Sequence, residues 1–192
     1  MSLFASGARS TVVRAVLVLA TVGLAVLVAV QAFAQAPAPS PEALEGLDAY
    51  EAVELANAWK GNEVTSFATP EAVHFAFPTG EEVRVEMPAD EMFVSVAPYL
   101  RQTHPCTVHY MSGCQGELAD RSMQVRATLP DGTVVVDETL RTGANGFLDL
   151  WLPRDQGVAL SVEMDGYAAD AFLTTFNDSA TCITTVQLAS AR

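Results

Sequence analysis

Sulfur and imidazole are scarce in this chain: 192 residues hold three cysteines, three histidines and six methionines. Three cysteines are too few for a disulfide scaffold in a chain this long, and an odd number leaves at least one sulfur without an internal partner. No CxxC or HxxxH pair occurs, so neither a dithiol redox motif nor a short-spaced metal motif is present. Basic residues are also few, 10 against 23 acidic, for a net charge of −13. A chain of that sign lacks the positive face that nucleic acid or an anionic membrane would need. No Ser/His/Asp set or paired-carboxylate signature stands out, and Gly143-Ala144-Asn145-Gly146 is too short to cradle phosphate. Turnover of an organic substrate is therefore not expected.

The one long apolar run is at the start. Arg9 and Arg14 precede Ala15 to Val30, and Ala32-Phe33-Ala34 follows with the small residues of a cleavage point. The run is shorter than the roughly 20 residues a membrane span needs, so residues 1–34 read as a signal peptide cut after Ala34. No cysteine ends the run, so a lipid-modified N-terminus is not expected. The mature protein, in the periplasm or secreted, then has about 158 residues, and losing two arginines takes the net charge to about −15. Enough chain remains to bury a core without disulfides.

Residues 35–41, with Pro37, Pro39 and Pro41, read as an extended linker. Ser40-Pro41-Glu42 predicts a helix start, and Leu47, Tyr50, Val53, Leu55 and Trp59 supply a helical apolar face that Gly61 ends. Val73–Phe77 and Val83–Met87 flank Pro78-Thr79-Gly80-Glu81 as a hairpin, and Met92–Val96 is a third strand before Pro98. These make residues 42–100 a smaller N-terminal α+β lobe. From Met123 onward, Met123–Leu129, Val134–Val136, Phe147–Leu152, Val158–Met164, Ala171–Phe176 and Cys182–Leu188 read as strands, with Asn145-Gly146 as a tight turn. The fold class is mainly β, with residues 101–192 a C-terminal antiparallel β-sandwich. Trp151 is expected in the sandwich core, and Arg154-Asp155 as a pair at a strand end.

Against that sparse background, His104-Pro105-Cys106-Thr107-Val108-His109-Tyr110-Met111-Ser112-Gly113-Cys114 gathers two cysteines, two histidines and a methionine. Cys182 answers it far downstream. Thiolates and imidazole are the donors that select Cu(I) or Zn(II) over hard cations. Spacing alone leaves three readings open: a metal site, a redox-active thiol, or a structural disulfide, Cys106–Cys114 or Cys114–Cys182. The last two correspond to a thiol–disulfide protein and to a β-sandwich interaction module.

Gln102-Thr103-His104-Pro105-Cys106, His109 and Ser112-Gly113-Cys114-Gln115-Gly116-Glu117 together resemble the signature of the CueP-type periplasmic copper-binding proteins. The resemblance continues through Asn145-Gly146-Phe147, Trp151-Leu152-Pro153-Arg154-Asp155 and Thr181-Cys182-Ile183-Thr184-Thr185-Val186-Gln187-Leu188, from about Phe93 to the C-terminus. It implies an envelope protein that sequesters Cu(I) and passes it to other envelope proteins, a metallochaperone serving copper homeostasis and tolerance. The implied metal ligands are Cys106, Cys114, Cys182 and His109; zinc is an alternative ion. Proline after His104 forces an extended backbone and is expected to turn that ring aside. Met111 is expected in the core and His74 as a half-buried surface residue. The implied partners are the copper ion and copper-donating or copper-accepting envelope proteins, with a homodimer left open. Three thiols could also reduce Cu(II) stoichiometrically, a hypothesis that rests on the odd cysteine and fails if Cu(II) added to reduced protein under argon yields neither Cu(I) nor disulfide.

Overall fold

A computed structural model describes residues 36–191; the expected signal peptide lies outside the described residues. Strands account for 41% of it and helices for 9%, which is the mainly-β class expected. Pro41–Leu44 forms a 3-10 turn with Ser40 as its cap. The helix α1 begins only at Ala49–Ala58, where Asp48 and Glu51 form a reciprocal capping box. The Ser40-Pro41 start signal is thus spent on a single turn. Gly46, at φ +76, bends the chain before the periodic segment can continue it.

After the helix come β1 (Thr65–Ala68), β2 (Ala72–Ala76) and β3 (Glu82–Glu86), a three-stranded antiparallel sheet in that order. The hairpin read from Pro78-Thr79-Gly80 is β2–β3, with Phe75 opposite Val83. Strand β4 (Glu91–Val96) then leaves this sheet. It pairs antiparallel with β7 (Leu148–Pro153) and parallel with the two-residue β10 (Cys182–Ile183). The last sheet holds five strands: β5 (Ser122–Thr128), β6 (Val134–Arg141), β8 (Gly157–Met164), β9 (Tyr167–Thr174) and β11 (Ala189–Ser190), in the order β11-β9-β8-β5-β6.

The β10-β4-β7 sheet is a middle layer. Met92, Val94 and Val96 of β4 and Leu148, Leu150 and Leu152 of β7 pack with Val125, Leu160 and Val162 of the five-stranded sheet. On the opposite face, Phe93 and Trp151 join α1 and Phe75 in a second apolar cluster. Both faces of β4 are covered, which is why Met92-Phe93-Val94 is apolar without alternation.

Three expectations change here. Trp151 points away from the sandwich and packs, tilted, against the rings of Tyr50 at 4.2 Å and Phe93 at 5.3 Å, because alternation along β7 gives the sandwich face to the leucines. Arg154 does not pair with Asp155; its guanidinium donates to the carbonyls of Pro88, at 3.0 Å, and Pro70, and to Asn177. Asp155 sits in a turn at φ +56. Cys182–Leu188 is not one strand: after Ile183 the chain leaves β4 and reaches the five-stranded sheet at β11. The tight turn expected at Asn145-Gly146 is present, and it carries the chain from β6 to β7 in another sheet.

Candidate metal centre

The segment between β4 and β5 has almost no regular structure, yet its backbone is tied on three sides. Ala68 of β1 donates to the His109 carbonyl at 2.9 Å, and the amides of Thr181 and Cys182 donate to the Thr107 carbonyl at 3.0 and 3.2 Å. A tight turn at Tyr110–Gly113 follows, with the Cys114 amide donating to the Tyr110 carbonyl at 2.7 Å. On the third side Lys60, just past the end of α1, donates through Nζ to the Cys114 carbonyl at 2.5 Å and to Gln115 Oε1 at 2.9 Å.

Thr181 is the internal brace. Its Oγ1 accepts from the His109 amide at 3.0 Å and donates to the Ala68 carbonyl at 2.7 Å, and the side chain is buried. One hydroxyl therefore fixes His109, strand β1 and the residue before Cys182 together. Thr181→Val, which keeps the shape and removes the oxygen, is expected to lower folding free energy by about 1–3 kcal/mol, the cost of a buried donor left unsatisfied. A denaturant midpoint equal to that of the parent would remove Thr181 from this role.

These ties bring the expected residues together. The Cys106 and Cys114 sulfurs are 3.7 Å apart, well beyond an S–S bond of about 2.05 Å, and none of the three cysteines is in a disulfide. Two donor trios overlap at Cys114: His104, Cys106 and Cys114, and His109, Cys114 and Cys182, with the donor atoms of each trio within 4.8 Å of one another. Ligand atoms about 2.3 Å from a common ion lie about 3.8 Å apart in a tetrahedral and about 4.6 Å apart in a linear arrangement. Both trios are within reach of that range after small side-chain adjustments. His104, expected to turn aside, is in the cluster instead, because the proline fixes its backbone but not its ring. Met111 is fully buried in the cluster beneath α1. His74 is half-buried and stacks on Phe67 at 4.6 Å.

His109 carries the most specific signal. Its side chain is 0% exposed, between Phe147 at 4.6 Å and Phe93 at 6.1 Å. Among the described residues it is one of two with a buried polar atom lacking a hydrogen-bond partner, and both its ring nitrogens are in that state. A buried imidazole without partners costs free energy, and a metal ion is a partner the sulfurs beside it could share.

The sulfurs are unequal. The neighbouring Cys182 thiol, with the Tyr110 amide, holds the Cys114 sulfur far below the ordinary thiol range despite burial. Hydrogen bonding to Cys114, and then burial, push the Cys182 thiol up. Burial also pushes Cys106 up, and its sulfur donates to the Val108 carbonyl at 3.1 Å. One thiolate, Cys114, thus sits between two thiols. Lys60 brings a cation toward it; burial lowers the ammonium's pKa and the charge of Cys114 opposes that. Lys60, Thr181 and Phe147 were not read as site residues: Thr181 and Phe147 entered only as parts of the segments that carry the resemblance, their side chains bring no metal chemistry, and Lys60 arrives from a separate element.

A family model described as the periplasmic copper-binding protein CueP matches residues 49–187, well over half the chain. A crystal structure described as S.CueP superposes with a TM-score of 0.72 at 28% identity, covering 80% of this chain and 100% of that one. No curated protein matches the chain.

Proposed function

The chain belongs to the CueP family of periplasmic copper-binding proteins, and from that premise we propose that it holds Cu(I) through Cys106, Cys114, Cys182 and His109 and passes the ion to other envelope proteins. Contribution to copper tolerance and export by residues 1–34 belong to the same reading. The observation that carries it is the buried His109, whose two ring nitrogens lack partners beside thiol sulfurs. Three sulfurs and one imidazole form a soft donor set, which favours a monovalent copper ion over hard cations. Overlapping trios suit an ion content with two or three ligands better than zinc, whose structural sites close with four.

Exchange with a partner follows from the same chemistry. A half-exposed Cys106 leaves one ligand that an incoming thiolate can replace, so the ion can move between proteins without being released to solvent. Thiols must lose their protons to bind. Cys106 and Cys182, both pushed up, carry protons at neutral pH, whereas Cys114 does not. Copper binding is therefore expected to release protons and to weaken as pH falls.

Anaerobic competition of the protein against a Cu(I) chelator, with released protons followed in weak buffer, checks this. One ion per chain, a sulfur-rich X-ray absorption signature and affinity that falls toward acid are the expected results. Tighter and four-coordinate binding of Zn(II), or binding indifferent to pH, would replace the reading with a zinc or a non-thiolate site.

A further inference from the structure

We propose that the two overlapping trios are successive positions for one copper ion: His104, Cys106 and Cys114 receive it, and His109, Cys114 and Cys182 retain it. The inference rests on the Cu(I)-binding reading and adds an order of events to it. Three observations support it.

Burial is graded across the cluster. His104 and Cys106 are half-buried, Cys114 is 8% exposed, and Cys182 and His109 are 1% and 0% exposed. An open cavity of about 470 Å³ is lined by His104, Cys106 and Cys114 together with Tyr110, but by neither His109 nor Cys182. An ion arriving from solvent thus meets the outer donors first.

The trios also share one atom. Because the Cys114 sulfur belongs to both, an ion can pass inward while that bond persists. Bonds to His104 and Cys106 break as bonds to Cys182 and His109 form. The ion stays Cu(I) throughout, and the proton that leaves Cys182 is matched by one returning to Cys106. No free ion appears at any step.

The inner set, in addition, is rigid where the outer is not held by regular structure. Cys182 lies in β10, paired with Ser95 of β4, and His109 is fixed through Thr181 and β1. His104 and Cys106 lie in a segment without helix or strand. An outer set at the open cavity can meet an approaching donor, and a braced inner set can hold what it receives.

Stopped-flow transfer of Cu(I) from a chelator to the folded protein, paired with equilibrium competition, separates the two positions. His104→Ala is expected to slow uptake about tenfold with a smaller loss of affinity, and His109→Ala to weaken retention by about tenfold or more with a smaller change in uptake. X-ray absorption of the His104→Ala protein is expected to retain the nitrogen-plus-sulfur signature, and that of His109→Ala to show altered nitrogen scattering. Both variants moving rate and affinity in the same proportion would overturn the succession and leave a single centre. A parent protein that takes up no Cu(I) would overturn the copper reading with it, and the parent's stoichiometry alone reports that result.

Discussion

Cys114→Ser should cost more Cu(I) affinity than any other single substitution in the protein. The Cys114 sulfur is the atom common to both trios, so its loss leaves neither with three donors, whereas losing Cys106 or Cys182 spares one. Loss of a group outside the coordination shell typically weakens a metal site by about 10–100-fold; removal of this ligand should exceed about 100-fold. The remaining thiols are also the wrong ones. Cys106 and Cys182 are both pushed up, so without Cys114 no sulfur is ready as a thiolate and every copper bond must displace a proton. Serine keeps the size of the side chain and leaves the Cys114 amide free to donate to Tyr110, so the turn should survive. Anaerobic chelator competition on the three Cys→Ser variants, with circular dichroism to show that each is folded, makes the comparison. Equal losses in all three would mean three equivalent sulfurs around one centre, and Cys114 would have no special position.

Much of the scaffold was legible because its signals are local. The β2–β3 hairpin follows from a turn sequence between two short runs carrying Val and Phe, and β5 and β8 from alternation, with Met123, Val125 and Ala127 inward and Gln124 and Arg126 outward. What lay beyond sequence was sidedness between layers. Phe93 and Trp151 are apolar on strands whose alternate residues already fill the sandwich, and nothing local says that a helix covers their other face. The same limit applies at the site. The rarity of sulfur and imidazole marked the segment from His104 to Cys114, since those residues bring their chemistry with them. Lys60 reaches Cys114 from just past α1 across 54 positions, and only the packed fold reveals it. His104 shows a smaller failure of the same kind: the proline rule constrains its φ and ψ, while its place beside Cys114, ten residues on, depends on how the segment folds back.

The second large effect is expected from Gly146→Ala, far from any ligand in sequence. Gly146 has φ +78, and a Cβ there would lie 2.7 Å from the Gly116 carbonyl oxygen and 2.9 Å from its Cα. A Cβ on Gly116 would meet the Gly146 carbonyl oxygen at 2.6 Å. The two backbones therefore touch, helped by the Gly116 amide donating to the Asn145 carbonyl at 2.6 Å. One side of this contact is two residues from Cys114; the other leads straight into Phe147, whose ring packs on His109. A left-handed residue with a side chain costs about 1–2 kcal/mol, and forcing backbone apart in a packed region about 1–3 kcal/mol more. Together that is about 2–5 kcal/mol, enough to lower Tm by roughly 5–15 °C in a domain of this size. Copper affinity should fall too, because the displaced backbone carries Cys114 away from Cys182. Gly80→Ala is the control: Gly80 has a similar φ of +88, with nothing within 4 Å of a new Cβ, so it pays the conformational term alone. Tm and Cu(I) affinity measured on both variants isolate the contact. If Gly146→Ala melts no lower than Gly80→Ala and binds copper equally well, the glycine pair does not position the thiolate.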